Sequence, residues 1–342
     1  MSSKTSVYDI LYRLCPEVIK RKSLNKISRS LPTHFGVEVT NICNATCRFC
    51  GYRFQQRRKG VMDNHTFKKA IDDYSRIGGG DINFTPTVGE PLLDKTLVEK
   101  IEYARSKKNI AKIWFYTNLI ELSSITVRGL LLSGLSTLRI STCIKDSKTY
   151  EKVYKVNKYK QVINNIVSVC EENAKLGFPV KIKLYLRVPK PIENTRKSKD
   201  YKLISKLFDP KDIHIYDDAY DSWGGKITEE DLPFGNNIYQ IHYDIKKEPC
   251  YELFRRIHVL YDGRVNFCVC RDLNADFEIG NIHHDSLSDI WKGERLNYLR
   301  DRWFNGTVPE MCQGCQRYKP LSEFYNKNHK QVIKRYMRYL LY

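Results

Sequence analysis

The sequence predicts an α/β fold, with a parallel sheet built from strand–helix units followed by a small cysteine-bearing region. Three observations predict it. Six short stretches of strand character, at about 35–40, 82–85, 112–117, 138–142, 180–188 and 213–216, are separated by helical patterns at about 64–77, 92–107, 124–133, 147–176 and 198–207. Strands alternating with helices imply crossovers that return each strand in the same direction. From Pro249 the rhythm breaks and cysteines return. The 342 residues suffice for one large and one small domain, with 42% hydrophobic residues to fill a core.

The first strand carries Phe35, Val37 and Val39 in period 2 and runs into Cys43-Asn44-Ala45-Thr46-Cys47-Arg48-Phe49-Cys50. Folds of this class place their chemistry on loops at the carboxyl ends of strands, so three thiolates here can converge on one metal centre. A closed iron–sulfur or zinc site takes four protein ligands; three leave one metal atom open to a small molecule. A zinc knuckle or a group of structural thiols is the plainer alternative. The second strand leads to Thr85-Pro86-Thr87-Val88-Gly89-Glu90-Pro91. There a glycine lets the backbone pass close to a ligand, and Pro91 stiffens the entry to the next helix.

The third strand ends Phe115-Tyr116-Thr117-Asn118, the fourth Ile140-Ser141-Thr142-Cys143, and the fifth Ile182-Lys183-Leu184-Tyr185-Leu186-Arg187. After the sixth comes a loop with Asp217, Asp218 and Asp221 beside Tyr220 and Trp223. Its carboxylates could hold hydroxyl or amino groups of a polar substrate, and one could act as a base; an ordinary solvated acidic loop is the alternative. Further along, Asp262-Gly263-Arg264-Val265 signals a hairpin turn between Cys250, Cys268 and Cys270 on its flanks and a later Cys312-x2-Cys315. Such a turn brings distant thiolates within about 2.3 Å of one metal.

The C-x3-C-x2-C triplet, with the aromatic Phe49 before its third cysteine, resembles the signature of the radical S-adenosylmethionine (radical SAM) family. The resemblance implies a partial (β/α)6 barrel over residues 34–245. It also implies a 4Fe-4S cluster on Cys43, Cys47 and Cys50, whose fourth iron is chelated by the amino and carboxylate groups of SAM. One electron then cleaves SAM to a 5′-deoxyadenosyl radical that abstracts a substrate hydrogen. Gly89, Glu90 and Pro91 match the family's GGEP motif, which lines the SAM amino group, with Val88 in place of the first glycine. Asn118 matches its TNG segment, with Leu119 in place of glycine, and Ser141 matches a serine facing the SAM ribose or carboxylate. Arg187 is placed to pair with the SAM carboxylate, with a surface arginine as the alternative. Cys143 stands where relatives often carry an aspartate; its thiol could donate a hydrogen atom and turn oxidation into epimerisation, or simply be a packed small hydrophobe.

Residues 246–320 resemble the SPASM or twitch extension of the same family. Cys250-x12-Gly263-x4-Cys268 matches its opening, and the segments from Gly280 and Ser286 are similar to its linker. Because no cysteine follows Cys315, the resemblance implies a single auxiliary 4Fe-4S cluster on Cys250, Cys268, Cys312 and Cys315, with Cys270 a spare or alternative ligand and zinc the plainer occupant.

The net charge of +19 gathers at the ends. Residues 1–33 carry a surplus of five cations and residues 321–342 a surplus of four. Both ends also show helical apolar spacing, which reads as amphipathic helices docked on the body or offered to a membrane surface or protein partner. Such charge favours an anionic partner such as a phosphorylated substrate; no nucleic acid is expected. No stretch approaches the ~18 apolar residues of a membrane span, no signal peptide is evident, and eleven cysteines suit metal ligation in a reducing compartment, so a cytoplasmic location is expected.

Together these readings point to an enzyme of the radical SAM type. It would act by dehydrogenation or epimerisation on a polar sugar-like or aminocyclitol-like metabolite, with a reducing partner such as flavodoxin or ferredoxin. Residues 1–33 are too few for a peptide-recognition module. A peptide-modifying maturase with its recognition module elsewhere, and a non-catalytic metal-binding adaptor, are the alternatives.

Overall fold

The computed structural model describes residues 29, 31–85, 87–122, 126–216, 219–239, 246, 248–268 and 272–323. The expected terminal helices fall almost wholly outside these residues, as do Asp217, Asp218 and Cys270.

The strand–helix rhythm is realised as β1 (His34–Val37), α1 (Asn64–Arg76), β2 (Gly80–Asn83), α2 (Leu97–Arg105), β3 (Ile110–Thr117), α3 (Val127–Leu132), β4 (Thr137–Thr142), α4 (Ser147–Tyr154), α5 (Tyr159–Lys175), β5 (Lys181–Arg187), α6 (Ile192–Arg196), α7 (Lys199–Ile204) and β6 (Ile213–Tyr216). Some of the helices start on side-chain caps that satisfy otherwise orphaned amides: Asp63 accepts from the Thr66 N–H at the head of α1, and Asp146 from that of Thr149 at the head of α4. α1 buries Phe67, Ala70, Ile71 and Tyr74, the i, i+3, i+4, i+7 stripe of a helix laid on a sheet. The single helix expected over 147–176 is two. Lys155 takes a left-handed conformation (φ 60°) and the chain turns before α5 begins.

β1 to β6 run parallel, each strand beside the next. Parallel strands covered on both faces usually read as continuous apolar runs; these alternate, because only one face lies under helices. Phe35, Ile82, Ile113, Phe115, Leu138, Ile140, Leu184 and Leu186 are fully buried on that side. The opposite face carries Tyr116, Arg139, Tyr185, Arg187, His214 and Tyr216, cross-strand neighbours that line the hollow of the partial barrel. They pack as rings and cations: Arg139 sits 3.8 Å from the Trp114 ring centroid, and Tyr185 stacks on His214 at 4.5 Å.

A short parallel pair, β7 (Ala219–Tyr220) with β8 (Asn237–Ile238), follows. Then β9 (Arg256–Val259), β10 (Arg264–Asn266) and β11 (Glu278–Asn281) form an antiparallel meander around the expected turn, where Gly263 takes φ 84°. The meander does not stand apart as a second sheet. β9 pairs in parallel with β1, so one nine-stranded sheet ordered β11-β10-β9-β1-β2-β3-β4-β5-β6 carries both thiol-bearing regions. α8 (Leu287–Lys292), α9 (Glu294–Phe304) and the short α10 (Glu310–Gln313) close this side, with the Arg300 guanidinium 4.5 Å from the buried Trp291 ring and the buried Trp303 stacked on Tyr318.

The junction is locked by a buried ion pair. Arg57, on the segment after the cysteine triplet, meets Glu38 in two parallel bonds of 2.7 and 2.6 Å, and its Nε donates to the Leu273 carbonyl at 2.8 Å. Truncating one member of such a pair strands the other in a low-dielectric interior. Arg57→Met is therefore expected to cost about 3–5 kcal/mol of unfolding free energy. Adding Glu38→Leu should recover part of that loss; chemical denaturation of the single and double variants measures both.

Candidate active site

Beyond β1 the chain turns through the cysteine triplet at the mouth of the barrel. Cys43, Cys47 and Cys50 all line one cavity of about 130 Å³, with Phe49, Glu90, Asn118 and Ser141 on its other walls. The loop is held by its own polar groups. The Tyr52 hydroxyl receives the Cys43 N–H at 3.0 Å and donates to the Cys43 carbonyl at 3.2 Å, and the Arg48 N–H reaches the Val153 carbonyl at 2.9 Å. Asn118, at the end of β3, donates to Asn44 Oδ1 at 2.8 Å and points the same amide at Cys43 Sγ, 3.8 Å away.

Burial pushes the Cys43 thiol up to about 12 and raises Cys47 and Cys50 as well, with the neighbouring thiols adding to the effect at Cys43 and Cys47. Three sulfurs that resist ionising alone will ionise for a metal centre that brings positive charge among them. Among the described residues no three His, Cys, Asp or Glu side chains close on a point as ligands of a single ion do. Three thiols on the wall of one cavity, with no fourth thiol there among the described residues, match the donor set of an iron–sulfur cluster that leaves one iron open.

The second loop fits against the first because Gly89 has no side chain. It sits at φ 120°, and a Cβ there would collide with the Thr40 carbonyl oxygen. Glu90 is buried and anchored by the Asn118 N–H at 2.6 Å and the Leu92 N–H at 3.2 Å. Desolvation raises its carboxyl to about 7, so it is poised to meet a cation that would hold it ionised. Pro91 opens a buried turn behind Glu90 and does not reach the cavity wall. Ser141 is within 3.4 Å of the Tyr154 hydroxyl.

A second cavity of about 370 Å³ adjoins the first, the two sharing Phe49, Thr87 and Tyr116. Rings dominate its walls, among them Tyr216, Tyr220, Trp223, Tyr239 and Tyr251. Arg187, expected near a cofactor carboxylate, lines this cavity and not the first. Asp221 also lines it, tied to Arg317 Nε at 2.5 Å and to the Trp223 N–H at 2.7 Å. Cys143 lines neither: β4 ends at Thr142, the in–out alternation lapses, and the thiol is fully buried. Of the two readings of Cys143, this burial is the placement expected of a packing residue.

On the far side of the second cavity lies the other thiol set. Burial pushes Cys312 up to about 12 and raises Cys250, and the sulfurs of Cys250, Cys312 and Cys315 are close enough to act on one another's charge. Lys246 caps this loop, its ammonium donating to the carbonyls of Cys312, Gln313 and Cys315 at 2.5, 2.5 and 3.0 Å. Cys268 follows β10 and packs against the same core. Lys246, Tyr52 and Tyr154 escaped the sequence reading. Only Tyr52, two residues after Cys50, carried a local hint.

Comparison with known proteins agrees with this arrangement. Residues 37–194 match the model of the radical SAM superfamily, and residues 250–316 that of the SPASM iron–sulfur cluster-binding domain. A tungsten-containing aldehyde ferredoxin oxidoreductase cofactor-modifying protein from Pyrococcus furiosus is 22% identical, the match covering 82% of this chain and 86% of that protein. The fold is shared with BtrN, solved in complex with AdoMet and 2-DOIA (TM-score 0.57, 20% identity, covering 86% of this chain and 96% of that one). It is shared also with SuiB from Streptococcus suis, solved bound to the precursor peptide SuiA (TM-score 0.57, 16% identity, covering 92% and 76%).

Two substitutions probe the scaffold of the site. Gly89→Ala is expected to destabilise the protein by about 1–3 kcal/mol, since an L side chain there meets both the left-handed backbone and Thr40; a thermal melt reads it. Lys246→Met should lower the iron retained after anaerobic reconstitution from about eight to about four per chain while the amino-terminal cluster persists, as measured by iron analysis.

Proposed function

Given that the chain is a radical SAM enzyme with a SPASM iron–sulfur domain on its carboxyl side, we propose that it removes a carbon-bound hydrogen from a polar, sugar-like small molecule. On this reading the substrate is held in the second cavity and SAM in the first. The 4Fe-4S clusters, when bound with SAM, supply a 5′-deoxyadenosyl radical and an electron acceptor. The observation that carries the reading is the shared wall, which lets a molecule in one cavity meet a molecule in the other across Phe49, Thr87 and Tyr116.

Cys43, Cys47 and Cys50 would hold the first cluster, and Cys250, Cys268, Cys312 and Cys315 the second. Glu90 receives the SAM ammonium, Asn118 and Ser141 face its carboxylate and ribose, and Phe49 covers it. On this reading oxidation is favoured over epimerisation, because none of the described cysteines lines the second cavity, where a thiol returning a hydrogen atom would stand. A sugar-like ring suits walls of tyrosine, whose faces take C–H groups while their hydroxyls take polar ones. The volume of about 370 Å³ fits a small molecule.

The test is anaerobic reconstitution followed by reduction with dithionite in the presence of SAM. The wild type should form 5′-deoxyadenosine and Cys43→Ala should not; bound zinc with intact SAM would refute the reading and support a metal-binding adaptor.

The buried carboxyl adds a pH dependence. Glu90 titrates at about 7 and must be ionised to hold an ammonium, so SAM affinity should fall as the pH drops below about 7. Glu90→Gln should weaken SAM binding by about tenfold at high pH, the scale of one lost charged hydrogen bond, and flatten that dependence. Equilibrium dialysis with labelled SAM across the pH range measures both.

A further inference from the structure

Among the described residues, the charges around the second cavity do not balance, and the imbalance centres on one residue. Both carboxylates of the wall are already engaged: Asp221 by Arg317 at 2.5 Å, Glu252 by Arg256 at 2.6 Å and by Arg255 at 3.4 Å. Arg187 has no carboxylate within ion-pair distance among the described residues. Its guanidinium lies against ring faces instead, 4.0 Å from the Tyr216 centroid, 4.8 Å from Phe49 and 5.4 Å from Tyr220. Its Nε is buried without a hydrogen-bond partner. A buried donor on a cation is costly to leave unmet, and a guanidinium packed on rings is held rigid with its fork open to a ligand as far as the described residues go.

We infer that Arg187 grips an anionic group of the substrate, a phosphate or a carboxylate, and so selects an acidic sugar-like molecule over a neutral or amino-bearing one. This inference rests on the proposed function, since it names the substrate class of that same cavity. Three considerations support it. The cavity to which Arg187 belongs is the one without the cluster thiols. The planar fork matches a carboxylate or phosphate with two parallel bonds. Lys319 adds a second cation to the same wall, paired with Glu323 at 4.0 Å, so an amine entering here would meet net positive charge from the described residues.

The experiment is anaerobic titration calorimetry on the reconstituted, SAM-loaded protein with ribose 5-phosphate, gluconate and ribose. At least one of the two acidic probes should bind about tenfold or more tightly than ribose, the scale of a charge-assisted bidentate contact. Tighter binding of ribose 5-phosphate identifies a phosphate as the recognised group, and tighter binding of gluconate a carboxylate. Arg187→Gln should erase the preference, and Arg187→Lys, which keeps the charge but loses the fork, should reduce it. Iron analysis on each variant confirms that the clusters remain. Equal binding of ribose and the acidic probes overturns the inference, as expected if a carboxylate of the chain already occupies Arg187. So does a preference that survives Arg187→Gln, or no binding of any probe. Formation of 5′-deoxyadenosine by the same preparation is read separately. Its loss with acid-selective binding intact counts against the proposed reaction alone, and its presence with charge-blind binding counts against this inference alone.

Discussion

The parallel pairing of β1 with β2 on one side and β9 on the other is the constraint from which the arrangement of this molecule follows. An interior strand of a sheet cannot slip its register without inverting every side chain on it. The loop that leaves β1 is therefore delivered to one place at the barrel mouth, with three cysteines on it. Because β9 shares that strand, the carboxyl-terminal thiols are referred to the same frame, and the Glu38–Arg57 pair with its bond to Leu273 ties the two regions together. The second cavity lies between them, walled by residues as far apart in the chain as Phe49 and Lys319.

Burial sets the electrostatics. Thiols that resist ionisation, a carboxyl raised to about 7 and an arginine whose nearest neighbours are rings are each unfavourable alone. Each becomes favourable when a charge of opposite sign arrives; on the proposed reading that is metal for the sulfurs, an ammonium for Glu90 and an acid for Arg187. Strain of this kind gathers where a protein binds something, because the rest of the fold is stable enough to hold it.

Much of this was legible in the sequence. The cysteine triplet, the Gly89-Glu90 turn and the hairpin at Gly263 are local signals written in adjacent residues, and the six strands fell within a few residues of their expected places. What escaped was non-local. Nothing near Arg256 announces that its strand will pair with one more than 200 residues earlier. Its place at the end of the fifth strand singled out Arg187, but only the assembled walls show that it lines the second cavity. Cys143 carried two readings in the sequence, and only the packing just beyond the end of β4 at Thr142 shows its thiol fully buried. The break at Lys155 was hidden because apolar spacing continues on both sides of it.

The central claim is that a cluster on Cys43, Cys47 and Cys50 keeps one corner open for SAM. The most direct measurement is the electron paramagnetic resonance spectrum of the reduced protein carrying Cys250→Ala, Cys312→Ala and Cys315→Ala, so that only the amino-terminal cluster contributes, recorded before and after SAM is added. The account expects a reduced cluster whose signal shifts when SAM binds to it. A signal unchanged by saturating SAM would contradict it.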